Sequence, residues 1–376
     1  YVLHRLGFFF VMHFLAMSTF PGIYQVPFVL VSEQVGKSQR LMINLMSFTL
    51  WSVGNCLLAL IVWLLQGHWR YVIGSSIALY TPFLFLYRLL PESPRWLISQ
   101  GRYGEAHIVC EKICRTNGVK VPPNLRSKLE KVSTSSQGHY GFLSLFSTRR
   151  MGFRSFAITF VWMTIAAAYN VFMLNIRNLA GNAYFNYFLM SVIEFGGLAI
   201  GIFGIKFLGR KIIQTICLLM TATTLFITGY YLTSDGDSHI PVIVLSVLGK
   251  MTIKSSFFVM YQQAMEIYPT VVRSAGLALG ATVANFFCIF VPMFLHLGTM
   301  WPPLPFIIFG SILGVSVVLS LYLPETANQK LPETIEEADA MGFNQRFCYI
   351  PALHGASASR VDKHQYDLTQ TKLNEE

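Results

Sequence analysis

The sequence predicts an all-α polytopic membrane protein, and three observations carry that reading. Of the 376 residues, 53% are apolar and only 12% are charged, about half the charged share of an ordinary soluble domain. Mean hydropathy is +0.51. Apolar runs of about 20 residues, the length that crosses a bilayer as a helix, recur along the chain.

Nine such runs are expected to span: 6–31, 43–65, 70–90, 155–175, 183–205, 212–232, 240–265, 274–297 and 302–323. The first is the least regular, because it holds His13, Pro21 and Pro27. His13 is expected as a satisfied histidine of the helix interior. A polar stretch, 91–152, separates the third span from the fourth, and a polar tail, 324–376, follows the ninth.

Basic residues orient these spans. Twelve Lys or Arg fall in 88–154, three (Lys206, Arg210, Lys211) in the 206–211 link, and two (Lys37, Arg40) in the 32–42 link. Links of opposite parity hold only Arg70 and Arg177, and no Lys or Arg occurs in 232–239 or 297–302. Cytoplasmic loops concentrate Lys and Arg. The long loop and the tail are therefore expected to be cytoplasmic, with residue 1 outside. The formal net charge of +10 would suggest a nucleic-acid partner in a soluble chain. Here topology accounts for it, so no nucleic acid is expected; contact with anionic membrane lipid is.

Within the long loop, "RYGEAHIVCEKICRTNG" places Tyr103, Ala106, Cys110 and Ile113 at helical intervals, with Val109 beside them and Gly118 at a C-cap position. A short amphipathic helix is expected there, lying under the bundle. Residues 132–140 read as a flexible linker, and the tail beyond about 341 as disordered. The six cysteines are scattered, so no disulfide framework is expected. No further ligand cluster accompanies Cys110 and Cys114, and they read as one face of the loop helix. No nucleotide-binding loop, metal cluster or catalytic triad is visible, so neither cofactor nor chemical conversion is expected. No ring of pore-lining charges suggests a channel.

A repeat organises the spans. At an offset of 233 residues, Glu33 meets Glu266, Arg40 meets Arg273, Glu92 meets Glu325, and "LPES" (90–93) meets "LPET" (323–326). Spans one to three thus correspond to spans seven to nine in the same orientation, as in transporters with parallel halves. The partners of spans four to six would precede residue 1, so the complete protein is expected to have twelve helices. Residues 1–90 read as part of an N-terminal half, 91–152 as a cytoplasmic loop, 153–323 as a six-helix C-terminal half, and 324–376 as a cytoplasmic tail.

"SEQVGKSQR", "PESPRWLISQGRYGEA", "NLAGNAYFNYFL", "EIYPTVVRSAG" and "LPETANQKLPETIEE" resemble the organic cation, carnitine and organic anion transporters, solute carriers of the major facilitator superfamily. "PESPRWL" also occurs in sugar porters, but those usually carry a double glutamine in the helix after the long loop. Here that helix reads "FVWMTIAAAYNVFMLN", and Gln262 and Gln263 lie in another span. The resemblance implies a major facilitator-type fold, alternating access, a central site between halves, and a plasma-membrane location. It also implies that three helices and a large extracellular loop are absent. In "GIKFLGRK" Lys206 stands where the family commonly has aspartate, which removes the carboxylate on which a charge relay in this loop would rest.

Glu33, Arg40, Glu92, Arg95, Glu266, Arg273 and Glu325 sit at cytoplasmic helix ends. They read either as solvated ends or as inter-half ion pairs that close that face, and their repetition favours the pairs. Glu194 lies mid-span, a functional candidate by default or a structural partner for Lys250 or Lys254. Arg5 resembles the family's arginine near the outer end of span one; His4 lies beside it. Lys250 resembles a lysine common in the family, whereas Lys254 stands where a small residue is usual. Lys254 either draws carboxylate, sulfate or zwitterionic substrates or answers Glu194. Asn285 resembles the ion-selecting position and carries neither charge. It either hydrogen-bonds substrate or bridges helices. Trp162, Tyr169, Phe172, Phe257, Phe258 and Tyr261 supply aromatic surface suited to organic cations or to packing; Tyr169 resembles the family's tyrosine.

The expected function is a secondary or facilitative transporter of small organic ions, zwitterion or anion before cation, with a coupling ion left unassigned. A truncated, non-transporting form acting as an interaction or regulatory product is one alternative. A sugar-porter-like carrier is the other.

Overall fold

Backbone polar groups in lipid must pair within their own segment. In the computed structural model all regular structure among the described residues is accordingly helical. The structure describes residues 2–36, 39–86, 91–126, 129, 142–175, 181–233, 240–269, 271–327, 329, 332 and 335–342. The helices are α1 (Val2–Gln34), α2 (Arg40–Leu64), α3 (Trp69–Leu86), α4 (Pro94–Ser99), α5 (Tyr103–Thr116), α6 (Arg149–Asn175) and α7 (Ala183–Phe207). They continue as α8 (Arg210–Tyr231), α9 (Ile240–Ile267), α10 (Arg273–Cys288), α11 (Val291–His296), α12 (Leu304–Tyr322) and α13 (Ile335–Ala340). Eight of the nine expected spans each overlap one of these helices, and the eighth, 274–297, is divided between α10 and α11. Seven stretches are long and apolar enough to cross a membrane: α2, α6, α7, α8, α9, Arg273–Thr299 and α12. In α1 the apolar core is Leu6–Ala16.

The chain divides into two compact units, Tyr1–Ser47 with Ile61–His139, and Phe48–Leu60 with Tyr140–Glu376. The middle of α2 thus belongs with the second unit.

In the first unit, α1 runs as one 33-residue helix despite its prolines. His13 is exposed and stacks on Phe9 at 5.7 Å between ring centroids, instead of lying in the interior as expected. The neighbouring Phe ring, one turn away on the same face, gives it an aromatic partner without burial. "PESPRWL" is a helix start: Ser93 accepts from the Trp96 N–H at 3.4 Å, and Pro94 takes the first turn. The loop helix forms as expected. Ala106 is fully buried, and Gly118, at φ +68°, ends it while the Val119 N–H reaches the Cys114 carbonyl at 2.9 Å.

In the second unit, α9 packs on α6, α7 and α8, α12 on α6 and α8, and α10 on α6. Lipid supplies no hydrophobic drive between helices, so close approach and interhelical hydrogen bonds must hold them. Both are present. Gly197, Gly201 and Gly204 line α7, and hydroxyl and amide pairs join the other faces. These are Gln214–Ser256 (2.8 Å), Thr221–Thr252 (2.8 Å), Thr164–Ser316 (2.7 Å) and Thr215–Ser320 (2.9 Å). Each such bond is worth about 0.6 kcal/mol on average.

Two features depart from the expected pattern. The eighth span is broken between Cys288 and Val291, because Pro292 cannot donate to the Cys288 carbonyl and its ring opposes a continuing helix. The polar tail contains a further helix, α13, with Ile335 and Ala338 buried. Arg154 on α6 donates to the carbonyls of Ala338 and, at 2.5 Å, of Met341, satisfying the end of that helix. Thr148 adds a bond to Asp339 at 2.9 Å. The expected linker at 132–140 and the tail beyond 342 lie outside the described residues.

Candidate functional site

Lys250 and Lys254 are four residues apart on α9 and therefore share a face. Glu194 meets that face from α7, and Gly197, one turn further along, explains how closely. A Cβ on Gly197 would lie 2.4 Å from the Met251 carbonyl oxygen and 3.1 Å from the Lys254 Cβ. With no side chain there, the two helices approach until Glu194 reaches both lysines. Its Oε2 is 2.7 Å from Lys254 Nζ, and its Oε1 is 3.2 Å from Lys250 Nζ.

Two hydroxyls complete the coordination. Tyr169 on α6 donates to Oε1 at 2.7 Å, and Ser52, from the middle of α2, donates to Oε2 at 2.8 Å. Glu194 and Lys250 are wholly buried, and Lys254 is 2% exposed. Two ammonium groups answer one carboxylate, so with all three ionised the cluster carries one positive charge. Buried ion pairs contribute little net stability, because desolvation offsets their attraction; charges at membrane depth mark substrate or ion pathways by default. The lysines differ in geometry. Lys254 makes the short charge-assisted bond, whereas Lys250 has no hydrogen-bond partner among the described residues and lies 3.2 Å from the centroid of the Tyr169 ring.

A polar trail leads away from the carboxylate. Trp51 Nε1 and Asn55 Nδ2 each donate to the Tyr169 hydroxyl at 3.4 Å, and Tyr187 donates to Asn55 Oδ1 at 3.4 Å. An aromatic wall adjoins it. Trp162 stacks edge-on with Tyr261 at 5.0 Å and with Phe257 at 6.4 Å, and Phe257 meets Tyr169 at 6.4 Å. Trp162 is also set against Gly280, where a Cβ would come within 2.8 Å of its ring. Asn285 is exposed on α10, one turn before Cys288, and none of the bonds to Glu194 comes from it.

The charged helix ends form a second cluster. Glu266 Oε1 pairs with Arg210 at 3.0 Å and accepts from Gln262 at 2.7 Å, while Oε2 accepts from Thr326 Oγ1 at 2.5 Å. Glu325 accepts four backbone N–H groups: Arg210 and Lys211 at 2.9 Å, Thr326 at 3.0 Å and Ala327 at 2.9 Å. It caps the start of α8, where four N–H groups otherwise lack partners and the helix dipole favours an anion. Gly209, at φ +87°, turns the chain into that start. Lys206 is exposed, and the carboxylates facing Arg210 come from Glu266 and Glu325. Arg273 Nε donates to the Tyr268 carbonyl at 3.2 Å. In the first unit Arg40 is buried and Glu92 exposed; the side chains of Glu33 and Arg95 lie outside the described residues. Arg210, Thr326 and Ser52 were not singled out from the sequence, although "LGRK" following a span signals a turn and a helix start.

The family model "Sugar (and other) transporter" matches residues 8–338. The beta-alanine transporter of Drosophila melanogaster is 31% identical over 90% of this chain and 56% of its own length. The human organic cation/carnitine transporter 2 is 31% identical over 84% of this chain and 56% of its own length. The chain therefore spans a little over half of these relatives. Among solved structures, the proton:xylose symporter XylE bound to 6-bromo-6-deoxy-D-glucose superposes with a TM-score of 0.64 at 20% identity, covering 82% of this chain and 69% of that one. The match across 8–338, with its helical fold, makes this chain a multi-pass membrane protein of the sugar (and other) transporter family, within the major facilitator superfamily and similar to its organic cation/carnitine carriers.

Proposed function

We propose that the chain is a carrier of small organic ions by alternating access, with substrates that bear a carboxylate, zwitterions or anions, preferred over simple cations. One observation carries this reading: Glu194 is shared between Lys250 and Lys254 in the membrane-spanning region. The carboxylate that would hold a cation is occupied by lysines, and with both lysines protonated their charge matches a bound anionic group in a site with little water to screen it. Lys254, Lys250, Glu194 and Tyr169 are the polar contacts, and Trp162 and Tyr169 form the aromatic wall for a cationic nitrogen. In this reading Asn285, exposed on α10, is a further substrate contact. β-Alanine and carnitine, named in two of the relatives, each pair a carboxylate with a cationic nitrogen.

In this reading Glu33, Arg40, Glu92, Arg95, Glu266, Arg273 and Glu325 gate the cytoplasmic face, and the long loop and tail lie in the cytoplasm beneath the plasma membrane. The halves that rock are the segments 1–90 and 153–323, joined by 91–152. Uptake of radiolabelled carnitine, a labelled organic anion and a cationic dye by cells expressing the chain tests the proposal. Carnitine or anion uptake above that of control cells is expected. Uptake of the dye alone would overturn it.

A further inference from the structure

We infer that Lys250 and Lys254 share one exchangeable proton, taken up together with the substrate's carboxylate, so that the coupling ion is a proton carried by this lysine pair. The inference rests on the proposed substrate site and assigns its coupling.

Three ionisable side chains meet in one buried cluster among the described residues. Each lysine is buried, and the two meet a single carboxylate. The groups around them come from several helices: Glu194 from α7, the Tyr169 ring from α6 over Lys250, and from α2 the Phe48 ring 5.4 Å from Lys254 Nζ, with the Tyr169 and Ser52 hydroxyls on the shared carboxylate. No described ion pair brings a second acid to either lysine. A second ammonium at membrane depth beside the first is costly unless it is neutralised. Glu194 already accepts from two hydroxyls and meets both lysines, so the exchangeable proton is assigned to the amines.

Two states follow. With the site empty, one of the two amines is neutral, and the trio of carboxylate, ammonium and amine carries no net charge. With a substrate carboxylate bound, both amines are protonated, and the surplus positive charge is matched by the substrate's negative one. The proton comes from water and settles on an amine nitrogen; no bond of the substrate changes. Lys250 is the amine assigned to give it up, because its contact with the carboxylate is the longer one, 3.2 Å against 2.7 Å for Lys254. The titration still belongs to the pair. The Tyr187–Asn55–Tyr169 trail offers polar stations between the half-buried edge and Glu194.

The sign of the pH dependence is fixed. The loaded site holds one more proton than the empty one. Affinity is therefore greatest and flat at low pH, where the pair is already doubly protonated, and falls as pH rises, by up to about tenfold per pH unit. The test is calorimetric titration of the purified full chain in detergent with β-alanine, carnitine and propionate, each run in phosphate and in Tris from about pH 6 to about pH 9. The two buffers differ in ionisation enthalpy, so the comparison counts protons. About one proton taken up per carboxylate bound, with the stated fall in affinity, is expected. Lys254→Met leaves a neutral Glu194–Lys250 pair, and both the uptake and the pH dependence should vanish. Binding without proton uptake and with constant affinity would overturn the coupling and leave the proposed function standing. Binding of none of the three would overturn both. Continued proton uptake by Lys254→Met would overturn the assignment to the pair, and if that variant does not fold, the two-buffer comparison on the unmodified chain decides alone.

Discussion

Gly197→Ala tests how the site is built. The added Cβ would stand 2.4 Å from the Met251 carbonyl oxygen, where carbon–oxygen contacts in proteins normally start near 3.3 Å. Backbone cannot swing aside as a side-chain tip can, so α7 and α9 must separate by about 1 Å. That movement would stretch the 2.7 Å Lys254–Glu194 bond to about 3.7 Å, beyond hydrogen-bonding range. Overpacking of this kind costs about 1–3 kcal/mol. At about 2–4 °C per kcal/mol for a unit of this size, the unfolding midpoint should fall by about 2–12 °C. The assay is thermal unfolding of the purified protein in detergent, paired with carnitine uptake. Gly314→Ala is the control, since nothing lies within 4 Å of the added Cβ there. It should be neutral or stabilising by up to about 1 kcal/mol. If Gly197→Ala melts with the unmodified protein and transports as well, the close approach of α7 to α9 does not set the site.

Three further outcomes are expected. Glu325→Ala removes the acceptor of four N–H groups at the start of α8 and should cost about 1–2 kcal/mol; thermal unfolding should show Glu92→Ala, at an exposed position, costing less. Arg154→Ala removes two charged hydrogen bonds from the end of α13, worth about 1.5–3 kcal/mol each. Amide exchange at Ile335–Ala340 should then accelerate at least about tenfold without a comparable change in α8. Burial, and secondarily the neighbouring Cys114, holds the Cys110 thiol above its ordinary range. Its alkylation by iodoacetamide should be slow at neutral pH and still rising above pH 9, because the thiolate is the reacting form; a plateau near neutral pH would contradict this.

The spans were legible because runs of about 20 apolar residues have few alternatives to a transmembrane helix. The break in the eighth followed from Pro292, visible in the sequence although not drawn from it. Helix α13 was not legible. Six residues in a polar tail have no periodicity long enough to read, and their helix is completed by Arg154, 184 residues away from the carbonyl of Ala338. The pairing of Glu194 with the lysines was one of two readings the sequence allowed. That both lysines meet it, and that Ser52 joins them, depends on the approach of three helices, which spacing along one helix cannot specify. Gly197 was equally silent, since a glycine within an apolar run acquires meaning only from the backbone opposite it. The 233-residue repeat identified Glu325 as an important charge. Its part as a four-fold acceptor at the start of α8 required knowing which helix begins beside it.

The central claim is that the lysine-saturated Glu194 selects carboxylate-bearing substrates. Its most direct test is equilibrium binding of labelled carnitine to the purified chain, unmodified and as Lys254→Met, with a cationic dye as competitor. Loss of one charge-assisted contact is worth about 1.5–3 kcal/mol, so carnitine affinity should fall about tenfold or more in the variant while the dye gains ground against it. Unchanged carnitine affinity in a folded Lys254→Met protein, or a dye that outcompetes carnitine on the unmodified chain, would contradict the account.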